Sequence, residues 1–390
     1  MSLGIEYKPF NKLVKKIIDN RGKTCPVVRS GFPLIATNCI LNRNLYPIFE
    51  NIRFVSQETY ETWFRGHPEP GDMIFVLKGT PGRVNWVPDP VNFCIAQDMV
   101  AIRANEQEVY PKYLFAALRS PIIQQEIENL HVGTLIPHFK KSDFDKLFIP
   151  CPSYKMQTYI GDTYFYFSQK IDLLQRQNAT LEAMAETLFR QWFIEEVQED
   201  FRITSLSNIA NFLNGLACQK YPPSNNIDKL PVLKIRELNN GISKDCDWAT
   251  SDIKSEYIVK SGDVIFSWSG SLLVKIWNGE DCVLNQHLFK VTSQTYPKWF
   301  YFFWCKYHLK EFIIISESHA TTMGHIKRSD LDAAEVLIPS DKRLQEMSYI
   351  MNPLWEKYIT NQTQIRTLEK LRDTLLPKLM SGEVRVRVDG

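Results

Sequence analysis

The most constraining feature of this chain is that it repeats itself once over most of its length. The segment Gly71-Asp-Met-Ile-Phe75 recurs in the second half as Gly262-Asp-Val-Ile-Phe266. Farther along, His138-Phe-Lys-Lys-Ser-Asp-Phe-Asp145 recurs as His325-Ile-Lys-Arg-Ser-Asp-Leu-Asp332, at nearly the same spacing. This ordered series of matches indicates a duplicated unit. Two long repeats predict two similar domains, because a solenoid requires at least three short ones.

Each half of the repeat has mixed secondary structure. Short apolar runs at residues 73–77 and 264–268 lie between Gly and Asp turn residues, which predicts strands. Residues 110–128 and 296–315 are predicted to be helices, each with a proline in its first turn. We therefore expect two α+β domains.

A long helix is predicted after each globular half. Residues 157–194 contain no proline and a single glycine, Gly161, and apolar residues recur every seven positions. The same pattern returns near the end of the chain, where Thr180-Leu-Glu182 recurs as Thr367-Leu-Glu369. Heptad spacing predicts a coiled coil, and two copies on one chain favour an antiparallel pair with pseudo-two-fold symmetry. The predicted seam consists of Ile160, Phe167, Leu174, Asn178, Leu181, Leu188, Met347, Leu354, Asn361, Leu368 and Leu375.

Two seam positions and two prolines are unusual in this helical pattern. Asn178 and Asn361 fall on the apolar seam, where a buried asparagine lowers stability but fixes register and pairing. A solvated position at the edge of the seam is the alternative. Pro353 and Pro377 are expected to kink or end the second helix locally, because proline lacks a backbone donor.

Composition restricts the class of protein. The net charge is only +2, so any nucleic-acid contact must come from local basic patches. The eight cysteines are scattered, with no CxxC pair, which predicts reduced thiols and no metal site. No apolar run approaches the roughly 18 residues that span a bilayer, and residues 1–10 lack the apolar core of a signal peptide. We expect a soluble, cytoplasmic protein.

Signatures of catalysis are absent from the sequence. Asn352-Pro-Leu-Trp355 is a poor match to the Asn/Asp-Pro-Pro-aromatic loop of adenine methyltransferases, and it falls inside the heptad pattern. No phosphate-binding GxxxxGK[ST] loop is present. The pair Asp143 and Asp145, with its copy Asp330 and Asp332, could supply nuclease ligands, but capping of a helix or turn is favoured. The sequence predicts a non-catalytic chain.

The two helices also end in related segments, Thr187-Leu-Phe-Arg-Gln-Trp-Phe193 and Thr374-Leu-Leu-Pro-Lys-Leu-Met-Ser-Gly-Glu383. Together with the paired GDMIF/GDVIF runs and the HFKKSDFD/HIKRSDLD segments that lead to Ile-Pro, they make the chain resemble the DNA specificity (S) subunit of Type I restriction-modification systems. The resemblance covers nearly the whole chain. No single motif is specific, but their order and duplication are.

The resemblance implies a domain plan and a set of partners. It implies a first target-recognition domain at residues 1–150, a conserved spacer helix at 151–200, a second target-recognition domain at 201–340 and a second spacer helix at 341–383. Each domain would read one half of a bipartite site in double-stranded DNA, and the helices would dock two methyltransferase (M) subunits. S-adenosylmethionine, ATP and Mg are then expected on the M subunits, which methylate adenine, and on the restriction/translocase (R) subunits, which cleave DNA. No cofactor is expected in this chain.

Candidate DNA contacts lie on the loops that follow the first repeated strand. Residues 78–83 combine a tight turn with two cations, whereas the copy at 267–271 is polar but chemically different, as expected of domains that read different half-sites. His138 and His325 recur together, and a structural role for them is as consistent as DNA contact. A solvated surface position is the alternative for every candidate. The candidates are Lys78, Thr80, Arg83, Gln97, Lys140 and Lys141 in the first half, and Ser269, Ser271, Lys275, Gln286, Lys327 and Arg328 in the second.

Two other functions remain open from the sequence. A coiled-coil scaffold protein would bind no DNA even in the presence of partners. The DNA-reading part of a single-chain modification enzyme would be joined to a methyltransferase domain encoded upstream.

Overall fold

The computed structural model describes residues 5–20, 22–130, 136–243, 245–318, 324–381 and 383–384. Its internal contacts divide the chain into two compact units. Unit 1 comprises Met1–Leu173 with Thr367–Gly390, and unit 2 comprises Leu174–Arg366. Each of the two long helices thus contributes one part to unit 1 and the other part to unit 2.

The globular part of unit 1 consists of short strands and short helices. Its strands, in chain order, are β1 (Glu6–Pro9), β2 (Val14–Ile18), β3 (Phe32–Ile35), β4 (Arg53–Val55), β5 (Met73–Val76), β6 (Val84–Trp86), β7 (Cys94–Ile95), β8 (Met99–Ala104) and β9 (Phe148–Cys151). Its helices are α1 (Gln57–Thr62), α2 (Pro111–Arg119) and α3 (Pro121–Asn129), with 3₁₀ turns at Phe10–Leu13, Thr37–Cys39 and Lys141–Asp143.

The strands of unit 1 form three small sheets. The central sheet has the order β2-β8-β5-β6 and is antiparallel throughout. A second sheet, β4-β3-β7, contains one parallel pair, and β1 pairs with β9. Strand β5 is buried along its whole length, and Phe75 packs against Phe10, Phe139 and Phe144 in the core. The central sheet therefore anchors the loop that follows β5.

The first long helix, α4, runs from Tyr154 to Arg190 and is followed by a π-helical turn at Gln191–Glu195. In unit 1 its first turns pack against the start of α2. The Gln157 side chain accepts a hydrogen bond from the backbone nitrogen of Tyr110 at 2.9 Å, and Lys112 pairs with Asp162 at 2.7 Å. These contacts fix the helix to the globular part of the unit.

Unit 2 has the same order of elements. Its strands are β10 (Arg202–Ser205), β11 (Asn211–Asn214), β12 (Lys229–Leu233), β13 (Trp248–Thr250), β14 (Ile258–Val259), β15 (Val264–Ser267), β16 (Leu273–Ile276), β17 (Cys282–Leu284), β18 (Leu288–Thr292) and β19 (Glu335–Ile338). Its helices are α5 (Leu206–Ile209), α6 (Ile235–Asn240), α7 (Lys298–Ser318) and α8 (Arg328–Ala333), with 3₁₀ turns at Cys218–Lys220 and Ser255–Tyr257.

The topology of unit 2 repeats that of unit 1. The antiparallel sheet β11-β18-β15-β16 corresponds to β2-β8-β5-β6, and the pair β10-β19 corresponds to β1-β9. The mixed sheet β13-β12-β17-β14 corresponds to β4-β3-β7 with one additional strand. The predicted duplication and the α+β fold class are confirmed, as are the strands predicted at 73–77 and 264–268.

The second long helix, α9, runs without interruption from Asp341 to Ser381. Pro353 and Pro377 were predicted to kink or end this helix locally, and the prediction that they end it is wrong. Pro353 lies on the exposed side of the helix, while Met351 is buried and Leu354 is half-buried. Packing of these flanking residues holds the helix together where the proline lacks a donor. The Asn352-Pro-Leu-Trp355 string is helical, as predicted.

The two long helices turn their heptad positions inward. Every predicted seam position is buried or half-buried, and Ile160, Leu174 and Met347 are almost completely enclosed. In unit 2 the helices are antiparallel neighbours: Asn178 of α4 accepts a hydrogen bond from Asn361 of α9 at 3.0 Å, and Ala185, later in α4, lines the same cavity as Leu354, earlier in α9. Both asparagines are buried, so the alternative of a solvated edge position does not hold.

One helix prediction requires correction. Residues 110–128 form two helices, α2 and α3, rather than one. Ser120 ends the first by donating to the carbonyl of Ala117 at 2.7 Å, and it caps the second by accepting from the backbone nitrogen of Ile123 at 3.4 Å. Pro121 lacks the amide that a continuous helix would use here. The copy in unit 2, α7, has no proline at this point and is continuous.

Candidate nucleic-acid interface

Three segments meet where β5 ends in unit 1. Lys78 forms an antiparallel bridge with His138, and the backbone nitrogen of Gly79 donates to the carbonyl of Pro137 at 3.0 Å. The nitrogens of Leu77 and Lys78 both donate to the carbonyl of Asp98, at 2.8 and 3.2 Å. We call residues 77–83, 97–98 and 137–141 loop cluster 1.

Loop cluster 1 brings together all six candidates of the first half. Gln97, Lys140 and Lys141 are exposed, and Lys78 and Thr80 are half-buried. The ammonium group of Lys141 pairs with the carboxylate of Asp19. The cluster therefore presents cations and a side-chain amide at one edge of the central sheet, the combination that phosphate and base contacts use.

Arg83 lies at the far end of the loop, where the chain turns back into β6. The carbonyl of Arg83 accepts from the nitrogen of Val76 at 2.9 Å, which closes the turn. Burial, and then the neighbouring charge of Arg43, lower the pKa of the Arg83 guanidinium. Asn42 holds this neighbour in place, because its side-chain oxygen accepts from the nitrogen of Val84 at 2.8 Å. The charges of two arginines thus act at this turn, and a guanidinium group suits a phosphate.

Arg43 was not among the residues predicted from the sequence. It lies far before Arg83 in the chain and belongs to neither the strand pattern nor the helical repeat. Tertiary hydrogen bonds, among them those from Val84 to Asn42 and from Asn85 to Leu41, bring the two segments together.

Unit 2 repeats this arrangement at the end of β15. Ser269 forms an antiparallel bridge with His325, and the nitrogen of Gly270 donates to the carbonyl of Gly324 at 2.9 Å. The nitrogen of Trp268 donates to the carbonyl of His287 at 3.4 Å. We call residues 268–271, 286–287 and 324–328 loop cluster 2. It contains the candidates Ser269, Ser271, Gln286, Lys327 and Arg328. In both units, therefore, the residues on either side of the repeated histidine hydrogen-bond the strand-following loop through their backbones.

The side chains of loop cluster 2 differ from those of loop cluster 1. Ser269 is buried, and its hydroxyl hydrogen-bonds Nδ1 of His287 at 2.9 Å, so it supports the loop from within. Gln286 lies 3.4 Å from Nε2 of the same ring. Trp268 donates through Nε1 to Asn214 at 3.1 Å. His287, Trp268 and Asn214 were not among the predicted site residues, although His287 follows Gln286 directly.

Lys275 lies apart from the other candidates of unit 2. It is on β16, opposite Ile265, and its ammonium group donates to the carbonyls of Leu238 and Asn239 at 3.3 and 3.4 Å. These carbonyls belong to the last turn of α6, where a cation is favoured. The structure therefore places Lys275 at a helix end rather than in loop cluster 2.

The predicted capping role is confirmed for one carboxylate of each acidic pair, Asp143 and Asp330. Asp143 accepts from the backbone nitrogen of Lys140 at 3.3 Å, and Asp330 accepts from that of Lys327 at 2.7 Å. Each carboxylate caps the turn that carries the neighbouring cations. A hydrogen bond from Lys146 is the main reason that the pKa of Asp143 is lowered.

The described part of the chain offers neither a metal site nor a membrane span. Within the described ranges, no three His, Cys, Asp or Glu side chains are grouped so that they could hold a metal ion. None of the described helices is long and apolar enough to cross a bilayer. All eight cysteines are buried free thiols, and burial raises the pKa of Cys94 to about 12.

Comparison with known proteins gives a consistent result. A family model described as the Type I restriction modification DNA specificity domain matches twice, at residues 15–183 and 198–370. The Type I restriction enzyme MjaIX specificity subunit of Methanocaldococcus jannaschii is 27% identical over 331 residues, which cover 76% of this chain and 76% of that protein. The Type I restriction enzyme EcoBI specificity subunit of Escherichia coli is 27% identical over 184 residues, 47% of this chain and 34% of that protein.

A solved structure has a similar fold. The crystal structure of a Type-I restriction-modification system S subunit from M. genitalium aligns with a TM-score of 0.58 over 97% of this chain and 96% of that chain. The two sequences are 16% identical, so this likeness concerns the fold alone.

Proposed function

Because the chain belongs to the Type I restriction-modification DNA specificity family, we propose that it is the specificity subunit of such an enzyme and reads a bipartite DNA site. One globular domain reads each half of the site. The observation that supports this proposal most strongly is that the same backbone bridge occurs in both units with different side chains. Lys78 is tied to His138 in loop cluster 1, and Ser269 is tied to His325 in loop cluster 2.

The difference in chemistry supports different roles for equivalent positions. The exposed Lys140 and Lys141 and the arginine pair Arg43 and Arg83 give loop cluster 1 several groups for phosphates. Loop cluster 2 also has two exposed cations, Lys327 and Arg328, but beside Gln286, whose amide can contact base edges, it has an imidazole and an indole instead of the arginine pair. Two frames that differ in this way are suited to two different half-sites.

The chain's own part in the reaction is binding and positioning. We propose that methyltransferase subunits dock on the long helices, methylate adenine with S-adenosylmethionine and supply much of the phosphate contact. Restriction subunits that use ATP and Mg would join through the same assembly. On this proposal the chain contributes no catalytic residue, and its role is to place the partner's active site at an adenine within each half-site.

The proposal is tested by co-expressing the chain with the methyltransferase subunit encoded beside it and mapping modified adenines across host DNA. We expect a single split motif with a fixed gap, and no modification in cells that lack this chain. A soluble complex that modifies no DNA, or that modifies one contiguous motif, would contradict the proposal.

A further inference from the structure

The helix pair of unit 2 contains a buried polar layer. Asn361 of α9 donates through Nδ2 to Oδ1 of Asn178 on α4 at 3.0 Å, and the two residues are 0% and 5% exposed. Asn178 in turn lies 3.4 Å from the carbonyl oxygen of Tyr358. The next residues along the seam, Leu174 and Ile365, are buried and aliphatic.

The hydrogen bonds of this layer leave one buried polar atom unsatisfied. Oδ1 of Asn361 has no hydrogen-bond partner among the residues that the structure describes. A buried carbonyl oxygen without a donor is unfavourable, and an aliphatic pair of similar size would pack here without that penalty. The presence of the two asparagines must therefore bring an advantage other than stability.

The internal repeat shows that the two asparagines are not copies of each other. Thr180-Leu-Glu182 of α4 recurs as Thr367-Leu-Glu369 of α9. Extending this match back along both helices aligns Leu174 with Asn361 and Asn178 with Ile365. Each asparagine thus has an aliphatic residue at its equivalent position in the other helix.

This alignment determines which residues would face each other if a long helix paired with the same helix of a second chain. Since α4 and α9 are copies, each also presents a seam that can pair antiparallel with the same helix of a second chain. In such a self-pair of α4, the position of Asn361 is taken by Leu174, so Asn178 would face an aliphatic side chain. In a self-pair of α9, Asn361 would likewise face Ile365.

We propose that Asn178 and Asn361 make each long helix select the other helix and reject a second copy of itself. Only the pairing of α4 with α9 brings the two amides together. Self-pairing of both helices between two chains buries four asparagines against aliphatic residues. The two asparagines therefore make α4 pair with α9, although the two seams are nearly identical. Each pairing then combines one copy of each of the two different domains. The inference is independent of DNA reading.

The test uses two full-length versions of the chain that carry different affinity tags. They are mixed, unfolded in denaturant, refolded together and captured through one tag, and the amount of the other tag is measured. The variant Asn178→Ile with Asn361→Leu gives each position the residue of its copy. We expect co-capture at least about tenfold above that of the natural sequence, because four orphaned amides no longer oppose self-pairing.

A matched control is the variant Leu181→Ile, a conservative change at a half-buried seam position of α4, which should leave co-capture unchanged. A four-residue variant that adds Leu174→Asn and Ile365→Asn to the double variant moves the polar layer by one turn. It should restore the low co-capture of the natural sequence.

Two results would overturn the proposal. One is a double variant that folds, judged by its circular dichroism, and co-captures no more than the natural sequence. The other is a four-residue variant that co-captures as much as the double variant. If the double variant does not refold, the single variant Asn178→Ile decides, since self-pairing of α4 alone should then raise co-capture.

Discussion

Replacing Gly161 with alanine should loosen the contact between α4 and α2 in unit 1, although alanine is the stronger helix former. A Cβ at position 161 would lie 2.5 Å from the backbone nitrogen of Tyr113 and 2.9 Å from the carbonyl carbon of Lys112. Nonbonded heavy atoms are most favourable at about 3.5–4.0 Å. The two helices must therefore separate by roughly 1 Å at this point.

The hydrogen bonds around Gly161 set the cost of this separation. Gln157 accepts from the nitrogen of Tyr110 at 2.9 Å, and Asp162 accepts from the Tyr110 hydroxyl at 2.9 Å and from Lys112 at 2.7 Å. Overpacking costs about 1–3 kcal/mol, and weakening these bonds adds roughly 1–2 kcal/mol. Replacing glycine in a helix returns about 1 kcal/mol. The net loss is then about 1–4 kcal/mol, with a central value of about 2–3 kcal/mol.

Hydrogen exchange of the α2 backbone amides, followed by mass spectrometry, measures this loss locally. A loss of about 2–3 kcal/mol corresponds to exchange faster by roughly 30- to 150-fold. The control is Ser348→Ala at the equivalent position of α9, which already carries a Cβ and loses only the bond from Trp299 Nε1 at 3.3 Å. Unchanged or slower exchange in α2 of the Gly161→Ala variant would refute the steric reasoning.

Four further predictions concern charged and titratable groups. Lys306→Met should destabilise unit 2 by about 1–2 kcal/mol in urea unfolding, since its ammonium pairs with Glu182 at 2.6 Å and is only partly exposed. Arg119→Met, near the corresponding position of unit 1, should instead be neutral or stabilising by about 1 kcal/mol, because that buried guanidinium has no hydrogen-bond partner among the described residues; a loss as large as that of Lys306→Met would contradict this. Burial lowers the pKa of His67, so the neutral ring's contribution to stability is present above the ordinary pKa of about 6.5 and is lost as the pH falls through the pKa of the folded state. His67→Phe should therefore reduce the loss of stability between pH 7.5 and 5.5. An equal loss in the variant and the natural protein would contradict this prediction. Asp72→Asn should cost about 3 kcal/mol in thermal unfolding, because the nearly buried carboxylate accepts from Arg103 at 2.9 and 3.1 Å; a cost below about 1 kcal/mol would show that the pair is solvated.

Features encoded by local periodicity were predictable from the sequence. The strands β5 and β15 and the long helix α4 lie within a few residues of their predicted bounds, because alternation and heptad spacing act over short distances. Proline was a poorer guide to helix ends. Pro121 follows a serine that caps the next helix, and the preceding helix ends there. Pro353 instead lies inside a continuous helix, which the packing of the residues on either side of it stabilises.

Features that depend on long-range contacts were not predictable. The bridge from Lys78 to His138 joins segments that are distant in the chain, and only the duplication of the pattern indicated it. The partnership of Arg43 with Arg83 has no local signature. Lys306 pairs with Glu182, whereas the guanidinium of Arg119 has no hydrogen-bond partner among the described residues, and Asp373 binds Arg372 at 2.8 Å. A repeat of residue types in the sequence does not show which of several neighbouring cations binds a given carboxylate.

The claim that each domain reads one half-site is tested most directly by changing one loop cluster at a time. The chain would be co-expressed with its methyltransferase partner as the natural sequence, as Lys78→Ala with Arg83→Ala, and as Ser271→Ala with Gln286→Ala. Modified adenines would then be mapped across the host genome. The account predicts that the first variant relaxes or loses one half of the split motif and the second variant the other half. Equal effects of either variant on both halves would contradict it.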